Sequence, residues 1–160
     1  MSAERPPVLI AYDGSDAAKA AVRAAAELFE SRRGLVVTVW EPSLAYAAAD
    51  LQPAGPELSP IPVDIQAAQE AEEALELSAR RTAAEGAELA REAGLECDAL
   101  AVAERVRVAD ALVELASKRG VGAIVVGSRG LTGIRARLEG STSSAVLKQA
   151  ECPVVVVHDD

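Results

Sequence analysis

Histidine occurs once in this 160-residue chain, as His158, and cysteine twice, as Cys97 and Cys152. A lone histidine in the terminal tail removes histidine-dependent catalytic triads. Two distant cysteines, with neither a Cys-x-x-Cys pair nor companion histidines, indicate no zinc site and no redox motif. Both are expected as small core residues. One phenylalanine, one tryptophan and two tyrosines leave little to stack on a flavin. No Gly-Lys-Ser/Thr follows any apolar segment, so the lysine and the magnesium-holding hydroxyl of a P-loop are missing. No Gly-x-Gly-x-x-Gly follows the first apolar segment, which removes the dinucleotide fingerprint. The acidic pair and later phosphorylatable aspartate of a response-regulator receiver are absent too. These absences favour binding over chemistry.

Positive charge is scarce as well. Sixteen Lys and Arg face 25 Asp and Glu, giving a formal net charge of −9 and an isoelectric point near 4.7. A duplex nucleic acid or an anionic membrane demands a basic face, so neither is expected as a partner. No apolar run approaches the roughly 20 residues of a membrane helix. The opening Met-Ser-Ala-Glu-Arg-Pro-Pro carries no signal-like apolar segment, so a cytoplasmic protein is expected. Residues 1–160, half of them hydrophobic, are enough for a single domain with its own core.

What is present alternates. Val8 to Tyr12 is a short apolar run ending in Asp13-Gly14-Ser15, after which Ala17, Ala18, Ala21, Val22, Ala25 and Leu28 recur at helical spacing. This predicts a strand, a tight turn, and a helix capped by Ser15 that ends before Gly34. Leu35 to Trp40, rich in valine, predicts a second strand covered on both faces. Residues 42–62 hold five prolines and break the pattern, either as a cover over a ligand at the strand ends or as a surface insertion. Asp64 to Ala93 is built of strong helix formers with Gly94 as a stop, as one long helix or as two offset pieces around Gly86. Its glutamates are expected on a solvated face. Leu95 to Val102, Gly122 to Val126 and Pro153 to Val157 predict three more strands; Val108 to Arg119 and Ser141 to Gln149 predict two more helices. Five strands separated by four helices predict an α/β domain, a five-stranded parallel sheet with helices on both faces.

The most informative stretch runs from Gly127 to Ser141, Gly-Ser-Arg-Gly-Leu-Thr-Gly-Ile-Arg-Ala-Arg-Leu-Glu-Gly-Ser. It follows a strand and precedes a helix opening with Ser141, Thr142, Ser143 and Ser144. Glycine lets the main chain approach an anion without a Cβ in the way, and a helix N-terminus offers unpaired N–H groups at the positive end of its dipole. The hydroxyls of Ser141 and Thr142 cap the helix, bind phosphate, or do both. Arg129, Arg135 and Arg137 stand there against Glu139, so the local charge is positive although the chain is acidic.

The spacing Gly127-x-x-Gly130, nine residues, Gly140-Ser141 resembles the universal stress protein family, in whose nucleotide-binding branch this pattern holds the phosphates of ATP. The resemblance extends over nearly the whole chain: the strand running into Asp13, the second strand followed by Pro42, and the closing Ala-Glu-Cys-Pro-Val-Val-Val-Val. It implies a Rossmann-like (adenine nucleotide alpha hydrolase-like) sheet in the order 3-2-1-4-5, which places Asp13 and Gly127 across one crevice. It implies nucleotide contacts from Ala11, Tyr12, Asp13, Val39, Gly127, Ser128, Arg129, Gly130, Gly140, Ser141, Thr142 and Ser143. Asp13 is then the one candidate for assisting a bound Mg²⁺, and otherwise an ordinary turn aspartate. The family also includes members that bind AMP or cyclic AMP, and dimers paired through the last strand, here 153–157. Two departures stand out: Val106 and Val108 occupy the places of a frequent Gly-x-Pro, and Gly122 stands where an aspartate is common. The expectation is a non-enzymatic, ATP-binding stress regulator or adaptor with an unspecified protein partner. The alternatives are an AMP or cyclic AMP binder, a dimeric interaction module without a nucleotide, or a slow phosphohydrolase using Asp13 or Glu139 as base.

Overall fold

Segments with no polar residue on either side belong between two covering layers, and Val8–Ala11 and Ala123–Gly127, buried at every position, lie in the middle of the sheet. The computed structural model describes residues 5–42, 64–128 and 141–158. Its strands are β1 (Val8–Ala11), β2 (Gly34–Trp40), β3 (Cys97–Ala103), β4 (Ala123–Gly127) and β5 (Val154–Val157); its helices are α1 (Asp16–Leu28), α2 (Ile65–Glu92), α3 (Val108–Arg119) and α4 (Ser141–Gln149). All strands are parallel, in the order β3-β2-β1-β4-β5, as the resemblance implied.

Successive residues of β1 point to opposite layers. Val8, Ile10 and Tyr12 pack with Ala21, Val22 and Ala25 of α1 and Ala87 and Ala90 of α2. Leu9 and Ala11 pack with Leu112 and Ala116 of α3 and Val146 of α4. Both cores lean on alanine, which lets helices approach the strands closely.

Several boundaries differ from the sequence expectation, for local reasons. Gly34 opens β2 instead of merely stopping a helix, since a Cβ there would meet Cys97 Sγ at 2.6 Å and Leu95 Cδ2 at 3.0 Å. Leu95 is fully buried but precedes β3, reached through Gly94 at φ 95°. Gly127 is the last residue of β4, paired with Val157. Residues 65–92 form one helix of 28 residues, its start capped by Asp64, whose carboxylate accepts from Ala67 N at 3.0 Å. Gly86 costs about 1 kcal/mol of helix propensity relative to alanine, but a Cβ there would lie 2.7 Å from the Tyr12 ring and 2.9 Å from Val36 Cγ1. The glycine makes room for the tyrosine. Apart from Pro42, the proline-rich 42–62 segment lies outside the described residues. Among the described residues, no helix is long and apolar enough to cross a membrane.

Candidate functional site

Where β1 stops, its backbone is still held. Tyr12 N donates to Val37 O at 2.9 Å, and the buried hydroxyl of Thr38 donates to Tyr12 O at 2.8 Å. The chain then turns: Asp13 Oδ1 accepts from Ser15 N at 2.9 Å, Gly14 takes φ 83°, and Ser15 Oγ caps α1 by accepting from Ala18 N at 3.2 Å. Asp13 is thus a turn-forming aspartate whose place is also the rim of a crevice. Thr38 was not singled out by its sequence; a lone hydroxyl inside a valine run was the available signal.

The floor of that crevice is made by Ala11, Tyr12 and Asp13, by Val37 and Val39 of β2, and by Val108 and Leu112 of α3. It encloses about 20 Å³, room for about one water, so it is the base of a crevice and not a finished pocket for a base. Val37 was expected only in the second strand, and Val108 and Leu112 only in the helix 108–119; their convergence with Val39 depends on how α3 crosses the sheet. Before α3, Glu104 Oε1 accepts from the amides of Arg105 at 2.7 Å and Val106 at 2.8 Å, which holds the turn that delivers Val108.

Tyr12 lines the crevice, but its ring belongs to the opposite core. There its hydroxyl donates to Glu85 Oε1 at 3.0 Å, so one of the α2 glutamates does more than face solvent. Burial first, and then the Glu85 carboxylate, push the Tyr12 hydroxyl up to about 12. Burial likewise pushes the Cys97 thiol up to about 11. In both cases the folded state favours the neutral form. Above the ordinary values of 9 for cysteine and 10 for tyrosine, the unfolded chain therefore loses protons that the folded chain keeps. Stability is thus fully present below about pH 9 and expected to fall as pH rises towards 12. Urea midpoints measured from pH 8 to pH 11 check this, and a midpoint constant across the range would contradict it.

On the other side of the switch point, β1 pairs with β4 up to Ile10↔Val125, and Asp13 and Ser128 each follow three residues after that last pair. Ser128 N donates to Val157 O at 2.8 Å. A Cβ on Gly127 would lie 2.8 Å from both C and O of Ala17, so that glycine admits the backbone of α1. The sequence had suggested an anion as the reason for it. Thr142 and Ser143 are buried in the first turn of α4 and Ser141 is exposed. Arg129, Gly130 and Gly140, with Arg135, Arg137 and Glu139, lie outside the described residues. Among the described residues, no three His, Cys, Asp or Glu side chains gather as a metal site. Asp13 would therefore need other oxygens, such as those of phosphates, to hold Mg²⁺.

A parallel sheet ordered β3-β2-β1-β4-β5, with a crevice at the carboxyl ends of β1 and β2 beside the reversal of strand order, defines a Rossmann-like α/β domain, the class that takes ligands at this end of the sheet. The model of the universal stress protein family matches residues 4–158, and the chain belongs to that family. A universal stress protein of Methanocaldococcus jannaschii is 45% identical over 49 residues, a match that covers 31% of this chain and only 29% of that protein's length. Among solved structures, a universal stress protein in complex with cAMP aligns with a TM-score of 0.62 at 24% identity, covering 98% of each chain. A universal stress protein family member from Arabidopsis thaliana with AMP bound aligns with a TM-score of 0.57 at 20% identity, covering 97% of this chain and 92% of that one.

Proposed function

We propose that this chain binds an adenine nucleotide at the carboxyl ends of β1 and β2 and acts as a nucleotide-dependent regulator or adaptor without relying on catalysis. The observation that carries the reading is the crevice itself: an apolar floor of Ala11, Val37 and Val39 suited to a base, with the Asp13 carboxylate at its rim suited to ribose hydroxyls. Nucleotides in two fold neighbours, cAMP in one and AMP in the other, support it. Because the floor is shallow, the base sits above it or Val39 and Val108 change rotamer on binding. ATP is the form favoured by the Gly127 to Ser143 motif. In this reading Gly127, Ser128, Arg129, Gly130, Gly140, Ser141, Thr142 and Ser143 surround the phosphates, and Mg²⁺ bridges them to Asp13.

Calorimetry with ATP, AMP and cyclic AMP tests the proposal, with Trp40, the only tryptophan, as a fluorescent reporter one residue beyond Val39. Val39→Phe is expected to weaken binding about 100-fold by occupying the floor. Asp13→Asn keeps the acceptor for Ser15 N–H and is expected to cost about tenfold through the lost charged hydrogen bonds. Magnesium should tighten ATP and leave AMP unchanged. Heat from none of the three nucleotides, in protein that melts cooperatively, would leave the adaptor reading in its place.

The adaptor role has one structural support of its own. β5 is an edge strand whose sole partner among the described residues is β4, and its four valines are only half-buried. Edges of this kind pair with another copy, so a two-fold dimer through 153–157 belongs to the proposal. Sedimentation equilibrium at micromolar concentration is expected to give a dimer, and a monomer throughout that range would remove it.

A further inference from the structure

We propose that the recess at the amino-terminal ends of β1, β2 and β3, at the opposite end of the sheet from the crevice, is a second site that takes a small phosphoryl dianion on Arg5, Arg33 and Arg119. The recess encloses about 320 Å³, within the lower range of volumes that hold small ligands. Three elements bring the arginines together. Arg5 comes from the segment entering β1, Arg33 from the residue before Gly34 opens β2, and Arg119 from the last turn of α3. Pro6 and Pro7 form a wall that offers no N–H, and Gly34 N already donates to Glu96 O, so the guanidinium groups are the main donors.

Each guanidinium carries five N–H donors in a planar fork suited to phosphate oxygens. Among the described residues these forks are only partly used. Arg5 donates to Ser31 Oγ at 2.6 Å and Arg33 to Asp98 Oδ2 at 3.2 Å. Among the described residues Asp98 is the one carboxylate in the lining, so three cations against one anion leave a local charge of +2 on a chain of −9. Arg33 and Asp98 are both solvent-exposed, at 54% and 67%, so their pair is a weak one that an incoming anion can share. A doubly charged phosphate balances the recess, and its oxygens can accept two parallel bonds from a guanidinium.

The site is independent of the nucleotide reading, and the experiment separates the two. Sodium phosphate is titrated into the full chain at an ionic strength held constant with sodium chloride, following the arginine Nε–H and Leu35 amide resonances by NMR. Saturable shifts at Arg5, Arg33, Arg119 and Leu35 are expected, with succinate binding at least tenfold more weakly. The double variant Arg5→Ser, Arg119→Ser removes exposed side chains and is expected to bind phosphate at least tenfold more weakly with an unchanged melting temperature. Asp98→Asn is expected to bind it several-fold more tightly, because the competitor for Arg33 is gone. Val39→Phe should leave phosphate affinity unchanged even where nucleotide binding is lost. Non-saturating shifts, an unaltered affinity in the double variant or in Asp98→Asn, or a loss of phosphate binding in Val39→Phe would each overturn the assignment. Tighter binding of succinate than phosphate would overturn the phosphoryl class.

Discussion

Chains carrying Leu112→Ala are expected to unfold with about 2–5 kcal/mol less free energy than the parent, a large part of the roughly 5–15 kcal/mol that holds a domain together. Leu112 is fully buried and packs from α3 onto the layer formed by Leu9, Ala11, Val37, Ile124 and Val126. Those partners sit on the three central strands, β2, β1 and β4, where ladder hydrogen bonds on both sides keep them from collapsing into a void. The cavity therefore stays open, and the cost lies above that of lost transfer alone. Because Leu112 also floors the crevice, the same substitution deepens it. Denaturant titration checks the stability, with an unchanged m-value showing that stability changed and the compactness of the two states did not. Leu147→Ala is the control: that side chain is 53% exposed, and its loss is expected to stay within about 0.5 kcal/mol. Equal effects at the two positions would refute the assignment of the core.

Gly127→Ala is expected to destabilise the fold by about 1–3 kcal/mol, whether or not any nucleotide is present. Carbon atoms in good contact sit about 3.5–4.0 Å apart, whereas the new Cβ would stand 2.8 Å from the backbone C and O of Ala17. A flexible side chain can rotate away from such a clash. A helix backbone cannot, so either α1 shifts away from the sheet or β4 bends. At this chain length each kcal/mol lowers the melting temperature by about 2–4 °C. A melting temperature within a degree of the parent would contradict this. A nucleotide affinity that drops in Gly127→Ala thus reports first on packing between β4 and α1. Val39→Phe and Asp13→Asn address the crevice more directly.

Gly127 illustrates how one residue can have a structural reason beyond the one its sequence suggests. The sequence placed it at a strand end before a loop, where a glycine is compatible with an approaching anion. The same lack of a Cβ serves an approaching helix, and only the position of Ala17 reveals that second role. Gly86 is a parallel case: as sequence it looked like a weak point in a helix, while its environment makes it the socket for Tyr12.

The order of strands and helices was written in local pattern, because a strand buried on both faces must be apolar throughout and a helix on a sheet must repeat its apolar side every three to four residues. The cap at Ser15 was equally local, since a hydroxyl answers an amide three residues away; Asp64 caps α2 in the same way, although the pattern had placed it inside the helix. What no local pattern contains is convergence. Val39, Val108 and Leu112 meet at one floor, Tyr12 crosses to Glu85, and Arg5, Arg33 and Arg119 share one recess at the far end of the sheet. Between elements, those meetings join residues from 28 to 114 positions apart, set by strand order and by the angle at which each helix crosses the sheet. Spacing along the chain records which way a side chain faces; only the folded chain decides what it faces.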